Sequence, residues 1–448
     1  MEYVPDFERE LGITQEPWGL AVHEVGRAGE SGREVTDLRE RLAAVSPEDE
    51  TELLSIYEEA LARPEPEDWP HFEGSGLAEI MARLPEAGTV SPEVFGLPSK
   101  LRGAWFGRVA GNMLGKAVEG GPSRATLASF LERTGAYPLT DYVAADPSAD
   151  KEIIGIWGAE GMLRGAIDGS VRDDDIDYTI LGLHILEEYG PRYTSLNVAT
   201  EWLNRFPIYQ TFTAERAAYT NLVREVRFED VGEYRNPFRE WIGALIRADI
   251  FGFVSPGDPR GAALLSYNDA ALSHRGNGIL GEMWAAALIA SAFAAETPEE
   301  SIVESLRHIP PTSRLACEVQ SVLEDWRAGL TWAETVEKID ARYPEMTFVG
   351  TLNNAGALSA AVLWGDGDYA ATAGLAVMAC LDTDSIGATA GAWAGAFLGY
   401  EAIPARFIDP LRDHVRSAVF GFGDTSISNL VDRTSRVIDS LKSQTSSE

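Results

Sequence analysis

From about residue 99 onward, apolar residues return every three or four positions, the period of an α-helix. This spacing predicts helices over 100–118, 177–188, 195–204, 213–226, 237–248, 281–295, 299–308, 313–328, 332–341, 368–380, 386–398 and 408–420. Runs that alternate apolar and polar residues, as half-buried strands do, are few. The pattern predicts a mostly α domain over 99–435, with 436–448 as a fraying tail. Residues 1–98 are acidic and rich in proline, and read as a partly helical N-terminal extension. Its clearest helix lies in "SPEDETELLSIYEEALARP", with Ser46 as N-cap, Pro47 in the first turn and Pro64 as the stop. "TPEESIVESL" repeats this grammar, with Thr297 as cap, Pro298 at the first position and Glu300 three residues after the cap.

Two of the predicted helices carry an unusual stripe. "GAWFGRVAGNMLGKAVEG" places Gly103, Gly107, Gly111 and Gly115 four apart, and "CLDTDSIGATAGAWAGAFLG" does the same with Gly387, Gly391, Gly395 and Gly399. Residues four apart share one helix face. Each glycine costs a helix about 1 kcal/mol relative to alanine, so four in one helix need compensation. A stripe without side chains lets another backbone come very close. Both helices are expected deep in the core, either packed on each other or crowded separately in an alanine-rich bundle. Each stripe ends in acids: Glu119 follows Gly115 by four, and Asp382 and Asp384 precede Gly387. That shared ending suggests that the two sets meet.

Charge narrows the functional classes. The 448 residues contain 70 acidic and 37 basic side chains, a net charge of −33. Such a field repels nucleic acid and anionic membrane surfaces, so neither is expected as a partner. Two cysteines, Cys317 and Cys380, make neither a disulfide framework nor a cysteine zinc site, and the six histidines show no metal-binding spacing. "MEYVPDFERELG" lacks the features of a signal peptide, and "MWAAALIASAFAA" is too short to span a bilayer. The expected address is the cytoplasm; the oligomeric state is open.

A third acidic group, Asp173, Asp174, Asp175 and Asp177, opens a helical run in "VRDDDIDYTILGLHILEEYG". Taken alone, these acids suit a solvated helix start at the favourable end of the dipole. Asp382 and Asp384 change the balance, because they sit in sequence too apolar for ordinary surface. Carboxylates gathered together repel, and shared protons or cations resolve the repulsion. Acids and hydroxyls without clustered Cys or His favour a hard divalent ion such as Mg²⁺.

Together these stretches resemble the ADP-ribosylglycohydrolase family over roughly residues 99–420. "GAWFGRVAGNMLGKAVEG" is similar to the family's opening helix and its glutamate, here Glu119. "DDDIDYT" resembles its Thr-Asp-Asp-Thr element, "SHRGNGILGEM" its Gly-Asn-Gly loop, and "LDTDSIGATAGAWAGA" its Asp-Thr-Asp-Thr element, in the same order along the chain. The resemblance implies an all-α orthogonal helical bundle with two Mg²⁺ ions, Mn²⁺ being an alternative. It implies metal ligands among Asp173, Asp174, Asp175, Asp382, Asp384 and Ser385, and catalytic roles for Glu119, Asp174 and Asp175. Departures are present. Asp173 stands where the family often has a ligating threonine, Ser385 and Ile176 replace threonines, Asn112 replaces a frequent aspartate and Ala117 a frequent proline.

The implied reaction is hydrolysis at ribose C1 of an ADP-ribosylated protein or ADP-ribose derivative. Its oxocarbenium-like transition state is stabilised by nearby negative charge. The diphosphate would need local donors, and the loop before a helix at His274, Gly276, Asn277 and Gly278 offers backbone N–H groups. His274 suits a structural hydrogen bond equally well, and Arg275 a surface ion pair. Trp284 reads as core, and "YQTFT" at 209–213 as a cleft lining without an assigned role. Two other functions compete: an N-glycosidase acting on a nucleoside or nucleotide, and a silent ADP-ribose-binding protein.

Overall fold

The computed structural model describes residues 15–86, 94–146 and 153–445; the opening stretch 1–12 lies outside them. Helices supply nearly all regular structure. Among the described residues the only strand ladder longer than a single bridge pairs Val415–Arg416 with Asp424–Thr425. No described helix is long and apolar enough to cross a membrane.

The two glycine helices, Leu97–Lys116 and Thr383–Leu398, lie antiparallel at the centre. A Cβ on Gly103 would stand 2.4 Å from the carbonyl oxygen of Gly395, one on Gly107 2.2 Å from that of Gly391, and one on Gly111 2.0 Å from that of Gly387. At Gly115 the facing oxygen belongs to Thr383, also at 2.0 Å. The contacts are reciprocal, since Gly391 and Gly395 face the carbonyls of Gly107 and Gly103. The stripes therefore pack on each other, and the lost helix propensity is offset by contact between backbones. Thr383 Oγ1 donates to the Gly115 carbonyl at 2.9 Å, and Tyr369 Oη to that of Gly107 at 2.9 Å.

Other helices enclose this pair. Asn277–Ala292 is buried along its whole length, as expected of a helix apolar all round, and Trp284 lies fully in the core. The buried Arg108 ties the first glycine helix to Asp174–Tyr189: it donates to Thr179 Oγ1 at 2.8 Å and the Asp175 carbonyl at 2.9 Å, and pairs with Asp249.

Several expectations are corrected. Residues 237–248 form turns and a 3₁₀ turn, because Ile242 N–H is committed to the Val349 carbonyl at 3.0 Å; the α-helix begins at Asp249–Val254. Over 408–420 the helix Ala405–Ile408 stops in a 3₁₀ turn containing Pro410, and Arg412 and Asp413 take left-handed backbone. Residues 436–445 of the expected tail continue the helix Ile427–Thr445, with Val437 and Ile438 buried, and 446–448 lie outside the described residues. The cap of Glu50–Ala62 is Asp49, which accepts from Glu52 N, and not Ser46. Thr297 caps Pro298–Ser305 as its spacing indicates.

The N-terminal helices Pro17–Glu30, Thr36–Ala44 and Glu50–Ala62 share a small core of their own, built around Leu20, Val25, Leu38, Leu53 and Ile56. They dock through a buried ionic joint. Arg239 reaches both Glu24 oxygens at 2.7 and 2.8 Å, Arg27 donates to Glu24 at 2.7 Å, and the His23 ring packs 5.1 Å from both Phe238 and Trp241.

Adding one methyl group separates the two kinds of glycine. Gly111→Ala should cost about 3 kcal/mol or more, because the obstructing atom is backbone and cannot rotate away. Gly26→Ala, in the helix Pro17–Glu30 with nothing within 4 Å of the new Cβ, should stabilise by about 0.5–1 kcal/mol. Thermal denaturation of both variants checks the pair; a tolerated Gly111→Ala would refute the packing.

Candidate active site and metal centre

Antiparallel packing of the glycine helices decides where the acids go. The C-terminal end of Leu97–Lys116 and the N-terminal end of Thr383–Leu398 come together, since Gly115 faces Thr383. Glu119 thereby meets Asp382 and Asp384. The third element arrives through Asn112, whose Nδ2 donates to Asp173 Oδ1 at 2.8 Å. Asp173 is the N-cap of Asp174–Tyr189 and accepts from Asp175 N at 3.1 Å. Ser385 Oγ donates to Asp175 Oδ2 at 3.3 Å, and Asp382 N to Asn354 Oδ1 at 3.0 Å. Two helix N-termini thus aim their positive dipole ends at one carboxylate cluster.

Glu119, Asp174, Asp175, Asp382, Asp384 and Ser385 all line one cavity of about 810 Å³, a volume typical of small-molecule sites. Asp173 lies beneath it, 1% exposed. Asp177, the fourth acid of its run, is turned away and serves structure: it accepts from Arg172 at 2.7 Å and from Ala418 N at 2.9 Å.

The electrostatics are those of crowded like charges. Burial, and then the neighbouring Asp173, push the Asp174 carboxyl up to about 7. Burial with Asp173 and Asp384 holds Asp175 well above the carboxylate range, and burial with Asp384 and Glu119 does the same to Asp382. Glu119 is raised by burial and by Asp384. Burial opposes ionisation of Asp173 too, but Lys116, the hydrogen bond from Asp175 and the charge of Arg172 together outweigh it and leave Asp173 below its ordinary value. Among the described residues, two groups of three carboxylates have oxygens close enough to hold a metal ion: Glu119, Asp382 and Asp384, and Asp173, Asp175 and Asp384. Asp175 Oδ1 and Asp384 Oδ1 are buried without a hydrogen-bond donor. An all-oxygen donor set with orphaned carboxylate oxygens fits a hard divalent cation.

The loop at 274–278 is not brought to this cavity. His274 is fully buried, with Nδ1 2.8 Å from Ser273 Oγ. Asn277 Nδ2 donates to Glu73 and Glu240 at 3.0 Å each, Gly276 N to Ser75 Oγ at 2.8 Å, and a Cβ on Gly278 would meet the Arg239 carbonyl at 2.4 Å. The donors expected to bind phosphate are spent on the segment 73–75 and on Glu240. Arg275 anchors carbonyls of Ala271, His274 and Glu229.

Other lining residues escaped the sequence reading. Trp18, Val22 and His23 come from the N-terminal helix Pro17–Glu30, and Trp241 and Phe348 add to an aromatic wall. Phe212 and Thr213 belong to the "YQTFT" stretch expected in a cleft. Lys116 was also missed; its only signal is position, three residues before Glu119 in an otherwise apolar turn.

A helical scaffold gathers carboxylates from three separate motifs at the floor of a ligand-sized cavity, an arrangement whose clustered oxygens could hold a metal ion. The sequence profile of the ADP-ribosylglycohydrolase family matches residues 96–443, and the chain belongs to that family. It is accordingly a glycosidase-type hydrolase, of a metal-dependent family whose substrates are ADP-ribose-related. Among solved structures it is similar to one described as an "ADP-ribosylglycohydrolase-related protein complex", with TM-score 0.46 and 16% identity over 77% of this chain and 98% of that one. No curated protein matches it.

Neutralising one ligand tests the cluster. Asp175→Asn exchanges a carboxyl whose ionisation is opposed by burial, Asp173 and Asp384 for a neutral near-isostere, so the metal-free protein should keep its melting temperature. In the parent, a divalent ion at a hundredfold excess over Kd should stabilise by about 2.7 kcal/mol. Differential scanning calorimetry should show that gain lost in the variant; an undiminished gain would remove Asp175 from the site.

Proposed function

We propose that this chain is a Mg²⁺-dependent glycohydrolase that cleaves the bond at ribose C1 of a small ADP-ribose derivative. The observation that carries the reading is the opening of Glu119, Asp174, Asp175, Asp382, Asp384 and Ser385 onto one cavity. Asp175 and Asp384 would hold the cation, with Asp382 beside them and Asp173 and Ser385 positioning them; Mn²⁺ suits the same oxygen donors. When bound, the ion supplies Lewis acidity and a fixed charge for ribose hydroxyls and water. The protein's own groups do the rest. Glu119, at the cavity floor, is the candidate for moving a proton to the leaving group or from water, assisted by Asp174. The remaining carboxylates stabilise the positive charge that develops on the ribose ring. The aromatic wall suits a nucleobase face.

The N-terminal helix forms part of that wall, which favours a free small molecule over a ribose attached to a folded protein. One observation favours a second reading, an N-glycosidase acting on an uncharged nucleoside. Beyond the acids at the floor, Glu16, Glu48 and Glu215 add carboxylates to the cavity, and no Lys or Arg lines it among the described residues. His23 offers no charge near neutrality, because burial lowers its pKa to about 4. A diphosphate is disfavoured in such walls unless cations accompany it. The reading places the activity in the cytoplasm, in keeping with two cysteines that are both free.

The decisive assay compares ADP-ribosyl-arginine, ADP-ribosyl-serine, O-acetyl-ADP-ribose and plain nucleosides, with and without Mg²⁺. Mg²⁺-dependent product from an ADP-ribose derivative is expected; product from nucleosides alone would transfer the conclusion to the second reading. Tight ADP-ribose binding without turnover of any of them would mean a silent protein. Trp18→Ala should raise KM about three- to tenfold with little change in kcat, as loss of uniform binding does. An unchanged KM would take the N-terminal helix out of substrate recognition.

A further inference from the structure

The acid cluster already contains a cation of its own. Lys116, 7% exposed, ends the first glycine helix with Nζ 2.6 Å from Glu119 Oε2, 2.6 Å from Asp173 Oδ2 and 2.8 Å from Asp384 Oδ2. Each contact goes to a different one of the three motifs that build the site. The ammonium is also held from behind, 5.1 Å from the Trp157 ring. The strand of chain carrying that ring is pinned over the helix end, with Gly155 N bonded to the Ala117 carbonyl and Ile156 N to the Glu119 carbonyl, both at 2.9 Å. Lys116 cannot swing out to water without opening this cover.

We propose that Lys116 serves as a built-in cation at the shared centre of the two carboxylate groups, so that the site binds one divalent ion where two groups of ligands are present. The inference rests on the metal-dependent reading above. Asp384 is the member common to both groups. Its Oδ2 is committed to Lys116, and only Oδ1 is left without a donor. Glu119 from one group and Asp173 from the other are likewise engaged by Nζ. What stays open is Asp384 Oδ1 and Asp175 Oδ1, both members of the group formed with Asp173, so oxygens without donors are left for a single ion. The arrangement also explains how Asp173, buried beneath the cavity, is tolerated as an extra negative charge: it is half of an ion pair with Lys116.

Metal stoichiometry tests this without reference to activity. The full chain is titrated with Mn²⁺ at low ionic strength, and free Mn²⁺ is read by its electron paramagnetic resonance signal, with Mg²⁺ calorimetry in parallel. The parent should bind one ion per chain. Lys116→Met should bind two, with the retained site at least about tenfold tighter once the competing charge is gone. Lys116→Gln, which keeps a donor for the carboxylates, gives the same reading if the apolar variant folds poorly. Two ions in the parent, or one ion still in both variants, would overturn the role of Lys116 and leave the metal-dependent reading standing. No ion bound by the parent or either variant would instead overturn that reading itself.

Discussion

The contact between the backbones of two glycine helices is the constraint from which the site follows. Four successive turns of Leu97–Lys116 face the carbonyls of Thr383–Leu398 with no room for a methyl group. Such a contact fixes register as well as distance. A slip of one residue would rotate a helix by about 100° and present side chains where only hydrogen fits. Because the helices run antiparallel, fixing the register also fixes which ends meet. The residues after Gly115 and those before Gly387 are delivered to one point, and those residues are Lys116, Glu119, Asp382 and Asp384. Rigid helices hold a carboxylate more sharply than loops do, which suits a cluster that must stay assembled against its own repulsion.

That repulsion is managed in layers. Two helix N-termini face the acids and favour negative charge. Asn112 supplies a neutral donor to Asp173 where a carboxylate would add to the burden. Lys116 supplies a full positive charge from within. After these, orphaned oxygens still remain on Asp175 and Asp384, and buried oxygens without donors are costly. The oxygens left over form a chemically specific set, one that suits a hard cation.

The sequence made the chemistry of the floor legible and left the walls obscure. Acids next to glycines at a spacing of four are conspicuous because each violates the ordinary grammar of a helix. Glu119, Asp174, Asp175, Asp382 and Asp384 therefore stand out in the sequence itself, and all reach the cavity. Helices such as Thr351–Gly365 and Pro259–Ser273 were invisible for the opposite reason. The first is buried almost throughout and so lacks an amphipathic stripe, and the second has small side chains that blur it. Glycines in "SHRGNGILGEM" suggested an anion cradle, yet they serve close packing against Arg239 and the segment 73–75. A glycine-rich turn before a helix looks the same in sequence whether ligand or protein fills it. Trp18 and His23 were unreadable because their role depends on where a separate small core docks.

That docking has a consequence for the substrate. The N-terminal helices are joined to the bundle through Glu24, Arg27, Arg239 and Glu240, so the arginines nearest the junction are consumed in holding it. Arg314 is spent in the same way on Glu73 and Glu240. The cavity that the junction walls is consequently acidic on several sides, with aromatic and aliphatic side chains over much of the rest. On the proposed reading, binding there would draw on stacking and on coordination of ribose hydroxyls at the floor, with charge selection set by the cations held at the floor. A diphosphate can be accepted only to the extent that bound metal and Lys116 outweigh the surrounding carboxylates. The number of cations at the floor and the charge of the substrate are therefore one question, and the backbone contact of the glycine helices is what couples them.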